Sequence, residues 1–344
     1  MKHRISMRAI SLLILTSASL CVGYNVKSAG PEYAITELPT LGGASVGQRI
    51  NDKGQIVGES FLVEGPPHAA LWSNGSVYDL GTLGGDTSIA NDINNKGQIT
   101  GFSQTGNGAF RSFLWENGSM FNIGTLGTAA TFAFGINQST EITGYARVGG
   151  GGTPFHAFRW RNGVFTDLGT LGGNESFGYD INDAGCVVGE SEIDINSPGL
   201  MHAFVWCDGV MTDLGTLGGP VSVANGINEN GHIVGLALTS NFEAHAVMWE
   251  RGIVTDLGAL PGGAFGGAVG VNARGQVVGI SSTDPGNGLP RSAVLWHGST
   301  ATALPLFTGS QEGFANDVNA AGTIVGVSTD SIGRRHAVVW SREH

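Results

Sequence analysis

Cys186 and Cys207 are the residues of this chain best placed for covalent chemistry with each other. They stand three residues before Gly189 and one after Trp206, in neighbouring strands of one repeat. Other repeats carry Gln55 with Ser73, Gln98 with Glu116, or Gln276 with His297 at the same two positions, so both cysteines arise together. A directly opposed, non-hydrogen-bonded antiparallel pair brings Cα atoms to ~4.5 Å, within disulfide reach. Export would favour oxidation; two unrelated buried thiols are the alternative. Five histidines, His68, His156, His202, His245 and His336, precede a tryptophan by four residues, with Arg111 and Ser292 in the other two repeats. Zinc would need several imidazoles on one ion, and placement around a ring separates them. A histidine that locks one strand to the next is the better account.

Acidic residues offer two further chemistries. "DINDAG" and "DINNKG" are faintly like calcium loops, with Asp92, Asp180 and Asp317 two residues before a recurrent asparagine. Arg49 and Gly135 replace that acid elsewhere and the third ligand is out of register, so turn chemistry is expected instead. Hydrolysis or lysis would show as acids or a nucleophile that break the repeat at one place. Glu64, Asp194, Asp284, Arg334 and Arg335 fall in irregular loops without a diagnostic spacing. They are candidate residues of a ligand face. No catalytic residue, cofactor site or metal ligand is assigned, and the "GxG" strings read as turns rather than phosphate cradles.

The elements that carry these residues repeat. Seven tryptophans, Trp72, Trp115, Trp160, Trp206, Trp249, Trp296 and Trp340, follow one another at gaps of 43, 45, 46, 43, 47 and 44 residues. Asn51, Asn94, Asn137, Asn182, Asn228, Asn272 and Asn319 recur with them, each seven residues before a glycine of the set Gly58 to Gly326. One unit, "SFGYDINDAGCVVGESEIDINSPGLMHAFVWCDGVMTDLGTLGG", reads as four short strands. They are joined by an Asx-type turn, a variable loop and a tight hairpin. Four strands per ~45 residues is the mark of a propeller blade. Small residues before each asparagine ("SIAND", "SVANG", "GFAND") put that strand innermost.

The last unit supplies three strands and ends at "HAVVWSREH", whereas Tyr33–Gly43, "YAITELPTLGG", matches a fourth strand. The expected fold is therefore all-β, a seven-bladed propeller whose last blade is completed by the N-terminal strand. Closure of that kind removes an unpaired edge. The variable loops, "FLVEGPP", "RVGGGGTP", "EIDINSPGLM" and "STDPGNGLP", share a face with the "GTLGG" connections, and any ligand belongs there.

Composition agrees. Glycine makes up 57 of 344 residues without a collagen period, and 41% hydrophobic against 13% charged residues is enough for a core. "MKHRISMR" followed by "AISLLILTSASLCV" reads as a signal peptide, with cleavage after Gly23, Ser28 or Ala29. Residues 1–29 are taken as the signal and 30–344 as one propeller domain. Removing the signal leaves 13 basic against 28 acidic residues, a net charge of −15. Such a surface repels phosphate backbones, so no nucleic-acid partner is expected. No other segment approaches the ~20 apolar residues of a membrane helix.

"HAF" at His156–Phe158 and His202–Phe204, each followed by tryptophan, resembles the HAF family of extracellular repeats. So do "DLGTLGG" and the "INDxGQIVG" pattern, over essentially all of Tyr33–Trp340. "FRSFLW" and "RSAVLW" depart from the motif. The resemblance implies bacterial export and no established activity, so it transfers no catalytic residue. The expectation is a secreted, monomeric, non-enzymatic scaffold, extracellular or periplasmic, for a glycan or protein ligand, without cofactor or stable membrane insertion. The alternative is a propeller hydrolase or lyase of extracellular polysaccharide, which carboxylates clustered at one channel mouth would favour over a ring of near-identical residues.

Overall fold

Each unit folds as an antiparallel meander because its turns are specified locally. In the computed structural model, which describes residues 33–127, 130–149, 154–284 and 290–343, the first unit is typical. Its strands are β2 (Gly42–Ile50), β3 (Ile56–Leu62), β4 (Pro67–Ser73) and β5 (Ser76–Asp79), hydrogen-bonded in that order. The hairpin between the last two strands is a type I′ turn: Asn162 and Gly163 of the third unit have φ of 49° and 85°. The signal-peptide reading lies outside the described residues.

The first strand of every unit carries a β-bulge just before its asparagine, for example between Gly47 and Arg49 or between Gly178 and Asp180. A bulge bends the strand and pushes one carbonyl outward. That carbonyl explains the recurrent glycines. A Cβ built on Gly58 would lie 1.9 Å from the Val46 oxygen, and on Gly189 1.8 Å from the Phe177 oxygen. No side chain larger than hydrogen fits there.

Among the described residues the strands form five four-stranded sheets and one eight-stranded path. That path is two four-stranded groups joined by the single parallel pair Ala244–Phe265. The chain is all-β and built as a β-propeller. First strands of successive units touch one another, and the strand Gly313–Val318 touches β2, so these strands form the inner circle. The N-terminal strand β1 (Tyr33–Glu37) pairs antiparallel with the last strand, Arg335–Arg342, in the register Tyr33↔Arg342 to Glu37↔Val338.

Hydrophobic clusters lie between units rather than within them. Trp249 packs with Val188 and Ala203 of the preceding unit, Trp340 with Val278 and Ala293, and Trp72 with Val325 and Ala337 across the chain's ends. Trp72, Trp206, Trp249, Trp296 and Trp340 are buried; Trp115 and Trp160 are half-buried.

Candidate functional site

The inner strands end in two stacked layers of polar side chains. The outer layer is made by the asparagines. Asn51 Nδ2 donates to the Asn94 carbonyl at 3.1 Å, and Asn94 to Asn137 at 3.0 Å. The series continues through Asn182, Asn228, Asn272 and Asn319, and Asn319 returns to the Asn51 carbonyl at 3.2 Å. Each asparagine's Oδ1 meanwhile accepts N–H groups of its own turn, such as those of Lys53 and Gln55 on Asn51. One short amide thus shapes a turn and ties it to the next unit.

Two residues earlier in each inner strand stand Arg49, Asp92, Gly135, Asp180, Gly226, Gly270 and Asp317. Turn chemistry, the expectation for these aspartates, does not describe them. Each is a clamp between units. Asp92 accepts the N–H of Ile93 at 2.8 Å and of Ile136 in the next unit at 2.7 Å. Asp180 does the same with Ile181 and Ile227, and Asp317 with Val318 and Ile50. Arg49 faces all three and donates to the Asn316 carbonyl at 3.1 Å. Burial pushes the Asp92 carboxyl up to about 7 against the opposing pull of Arg49. Burial likewise raises Asp180 and Asp317.

Carboxylates do gather at the axis, half-buried, and both oxygens of Asp92 and Asp180 and one of Asp317 accept backbone N–H groups. They hold the strands together across unit boundaries. The raised carboxyls are expected to make stability depend on pH. A carboxyl whose folded pKa lies above its unfolded value of ~3.9 takes up protons on folding between those two values. Its contribution is largest at low pH and declines as pH rises toward 7. Asp92→Asn removes this titration, so the fall in Tm between pH 5 and pH 8 is expected to flatten in calorimetry. An unchanged slope would assign the dependence to other groups.

The histidines lock strands. Nδ1 of His68, His156, His202 and His245 meets Asp79, Asp167, Asp213 and Asp256 at 2.8–3.0 Å, joining third and fourth strands of a unit. His336 meets Glu37 of the N-terminal strand at 2.7 Å in the same way. Cys186 and Cys207 are disulfide-bonded with Cα atoms 4.5 Å apart. Beside them a shallow cavity of about 220 Å³ opens between two units, lined largely by apolar groups that include Trp249 and Ile233. Among the described residues no group of three or more His, Cys, Asp or Glu could hold a metal ion. No helix there is long and apolar enough to cross a membrane.

The variable loops and the "GTLGG" connections do share a face: Gly42 lies against Val63, and Gly172 against Ile193. Glu64, Asp194, Asp284 and Arg334 stand on four different loops of it, whereas Arg335, expected in a loop, opens the last strand opposite Thr329. Asp194 caps its own turn through Asn196 and Ser197, and Arg335 faces the buried Glu59 carboxyl across two units. Apolar tips rise beside them: Val63 is 78% exposed, Ile195 60%, Phe242 69% and Ile332 79%. The opposite face has polar turn residues, but Val164, Val210 and Ile253, at 65%, 63% and 68% exposure, stand directly after its hairpins.

Sequence reasoning missed the most irregular feature of the molecule, an aromatic shelf on the loop-side half of units two to four. Phe132 meets Phe102 at 5.1 Å and Tyr145 at 5.3 Å between ring centroids. Tyr145 stacks on Phe134 at 5.3 Å and meets Phe177 edge-on at 5.0 Å. Phe110 and Phe155 extend the shelf toward the loops, and Tyr179 closes it 6.0 Å from Phe134. Every one of these rings is half-buried rather than enclosed. The Tyr179 hydroxyl donates to Glu190 Oε1 at 2.6 Å, and the Arg147 guanidinium lies 4.5 Å from the Phe155 ring centroid. Burial, reinforced by Glu190, pushes the Tyr145 phenol up to about 12, so it stays protonated and able to donate. The available signal was a break in the repeat. Phe134 and Tyr179 occupy the bulge position where Asn91, Asn225 and Asn316 instead donate to a carbonyl of the next unit.

No protein-family model matches the chain, and no curated protein sequence does. Solved structures match in shape. The acylaminoacyl peptidase of Pyrococcus horikoshii aligns with a TM-score of 0.56 at 12% identity, over 88% of this chain and 52% of its own. A puromycin-hydrolyzing peptidase of Mycobacterium tuberculosis aligns with a TM-score of 0.54 at 8% identity, over 91% and 55%. TolB from Acinetobacter baumannii gives 0.48 at 11% identity, over 84% and 64%. This chain spans between about half and two thirds of the length of these proteins. At such identities the likeness is one of fold alone.

Proposed function

We propose that the chain is a seven-bladed β-propeller of the HAF-repeat kind, exported from the cell. In this reading it acts outside the cytoplasm as a binding scaffold for a glycan or a protein. Seven blades are supported by the asparagine series, in which Asn319 returns to Asn51 after seven steps. They are also supported by the tryptophan clusters, each of which joins a unit to its predecessor. A disulfide and a basic-then-apolar N-terminus support export.

The observation that carries the binding reading is a contrast. The axial carboxylates act as backbone clamps, while partly open aromatic surface and apolar loop tips lie on the face whose loops vary. A propeller hydrolase is the rival reading, favoured by the three axial acids. Mature protein, residues 30–344, incubated with extracellular polysaccharides separates the two. Binding without new reducing ends or unsaturated ends is the expected result. Release of such ends by the wild type, lost in Asp180→Asn while its Tm holds, would establish the hydrolase or lyase.

A further inference from the structure

We propose that the aromatic shelf centred on Phe132, Phe134, Tyr145 and Phe177, with the Tyr179–Glu190 pair at its edge, binds the sugar rings of a neutral polysaccharide. The inference rests on the binding-scaffold reading and names its site and ligand class. Near-symmetric packing places the same demand on every blade, so a cluster needed only for packing should recur. It does not. Phe132 and Phe177 have one aromatic counterpart, the core residue Phe314, and elsewhere Val46, Ile89, Val223 and Gly267; Phe134 and Tyr179 have none, the same position holding Gln48, Asn91, Asn225, Val269 and Asn316.

Those asparagines each make a blade-to-blade hydrogen bond at 2.7–2.9 Å, which Phe134 and Tyr179 forgo with an aromatic ring in place of the amide. The half-buried rings, contiguous over three units, also leave part of their apolar area in water, as a surface that meets a partner does. The chemistry of the shelf suits a pyranose. Flat aromatic rings match the C–H face of a sugar, and the Tyr145 and Tyr179 hydroxyls are the polar groups beside them, with Tyr179 oriented by its bond to the buried Glu190 carboxylate. Aromatic platforms of this kind also stack nucleobases, but a mature net charge of −15 repels phosphate. The same charge disfavours polyuronates, and the Arg147 guanidinium already lies against Phe155. A neutral chain of sugars is what remains.

The test exploits the repeat. Phe134→Asn installs the residue found at Asn91, Asn225 and Asn316, and Phe132→Val the residue found at Val46 and Val223. Both variants should therefore fold, with Tm equal to or above that of the wild type. The probes are gels carrying a soluble β-glucan, a galactomannan, a xylan or a polygalacturonate, with calorimetry on the polymer that retards the protein. Wild type retarded by at least one neutral polymer, and at least tenfold weaker binding by both variants at unchanged Tm, is the expected result. Variants that bind as the wild type does would overturn the shelf while leaving the scaffold reading intact. Retardation by polygalacturonate alone, binding only to a proline-rich peptide, or no retardation at all would overturn the neutral-glycan assignment. Loss of the scaffold reading itself would show separately, as enzymatic release of chain ends.

Discussion

Deleting Tyr33–Leu41 is expected to leave a protein that aggregates and melts far below the parent. The strand β1 supplies five paired residues to the last strand, and Leu38 adds a further backbone bond to Ala337 at 2.9 Å. The segment's contacts reach both neighbours. Tyr33 packs in the Trp340 cluster and Glu37 holds His336, while just beyond the strand the Pro39 backbone carbonyl accepts the Trp72 indole N–H at 2.6 Å. Removing these contacts would expose a hydrophobic strand edge on Arg335–Arg342, a template for pairing with other chains. Together they are worth roughly 5 kcal/mol or more, a large part of the ~5–15 kcal/mol that stabilises a typical domain. Size-exclusion chromatography and scanning calorimetry check the expectation. A synthetic Gly30–Gly43 peptide should restore solubility by adding back the strand. A truncated protein as soluble and heat-resistant as the parent would show that closure does not depend on this strand.

Periodic residues were legible in the sequence because each repeats a single physical requirement. Gly58 and its equivalents recur since a bulged carbonyl occupies the place of a Cβ, and that demand is identical in every unit. The tryptophans recur because every unit must cover its predecessor. The pairing of Tyr33–Glu37 with Arg335–Arg342 was legible for the same reason: a missing fourth strand at one end matched a surplus one at the other.

What was not legible depends on curvature. Asp92 and Asp317 are 225 positions apart in the chain, and only a sealed circle brings both to Arg49. Read in one dimension, each looks like part of an Asx turn. The shelf escaped for another reason. Phe102, Phe132 and Tyr145 alternate properly within strands, so they read as ordinary core. Their partial exposure and their contacts across three units appear only when the units are set side by side. Glu64, Asp194, Asp284, Arg334 and Arg335 illustrate the converse. Irregular loops drew attention to them, yet those loops belong to four different units.

The same division holds for repeat proteins in general. Elements that recur report what the ring needs to close, so residues that both depart from the pattern and stay partly open to water are the better guide to a ligand. Phe134 and Tyr179 satisfy both conditions. The axial aspartates depart from the pattern and are half-buried too, but Asp92 and Asp180 each accept N–H groups from two adjacent units, which makes them part of the frame.

The frame is most concentrated in the asparagines, and Asn272→Ala is expected to cost roughly 3–4 kcal/mol, the loss per unpaired buried group being ~1–3 kcal/mol. This side chain is only 5% exposed. Its Nδ2 donates to the Asn319 carbonyl at 2.9 Å and to Gln276 Oε1 at 2.8 Å. Its Oδ1 accepts the N–H groups of Arg274 and Gln276 at 3.0 and 3.1 Å. Alanine strands all four partners at once. Asn272→Asp is the sharper variant, since it keeps the acceptor for the turn and replaces the inter-unit donor with an oxygen aimed at a carbonyl. If the tie to the next blade matters, aspartate should be at least as damaging as alanine at pH 7. It should recover partly near pH 4, where a protonated carboxyl can donate again. Urea unfolding of the two variants at both pH values measures this. Aspartate close to wild type at pH 7 would mean that the asparagine serves its own turn alone, and that the ring is held by its tryptophan clusters without the amide series.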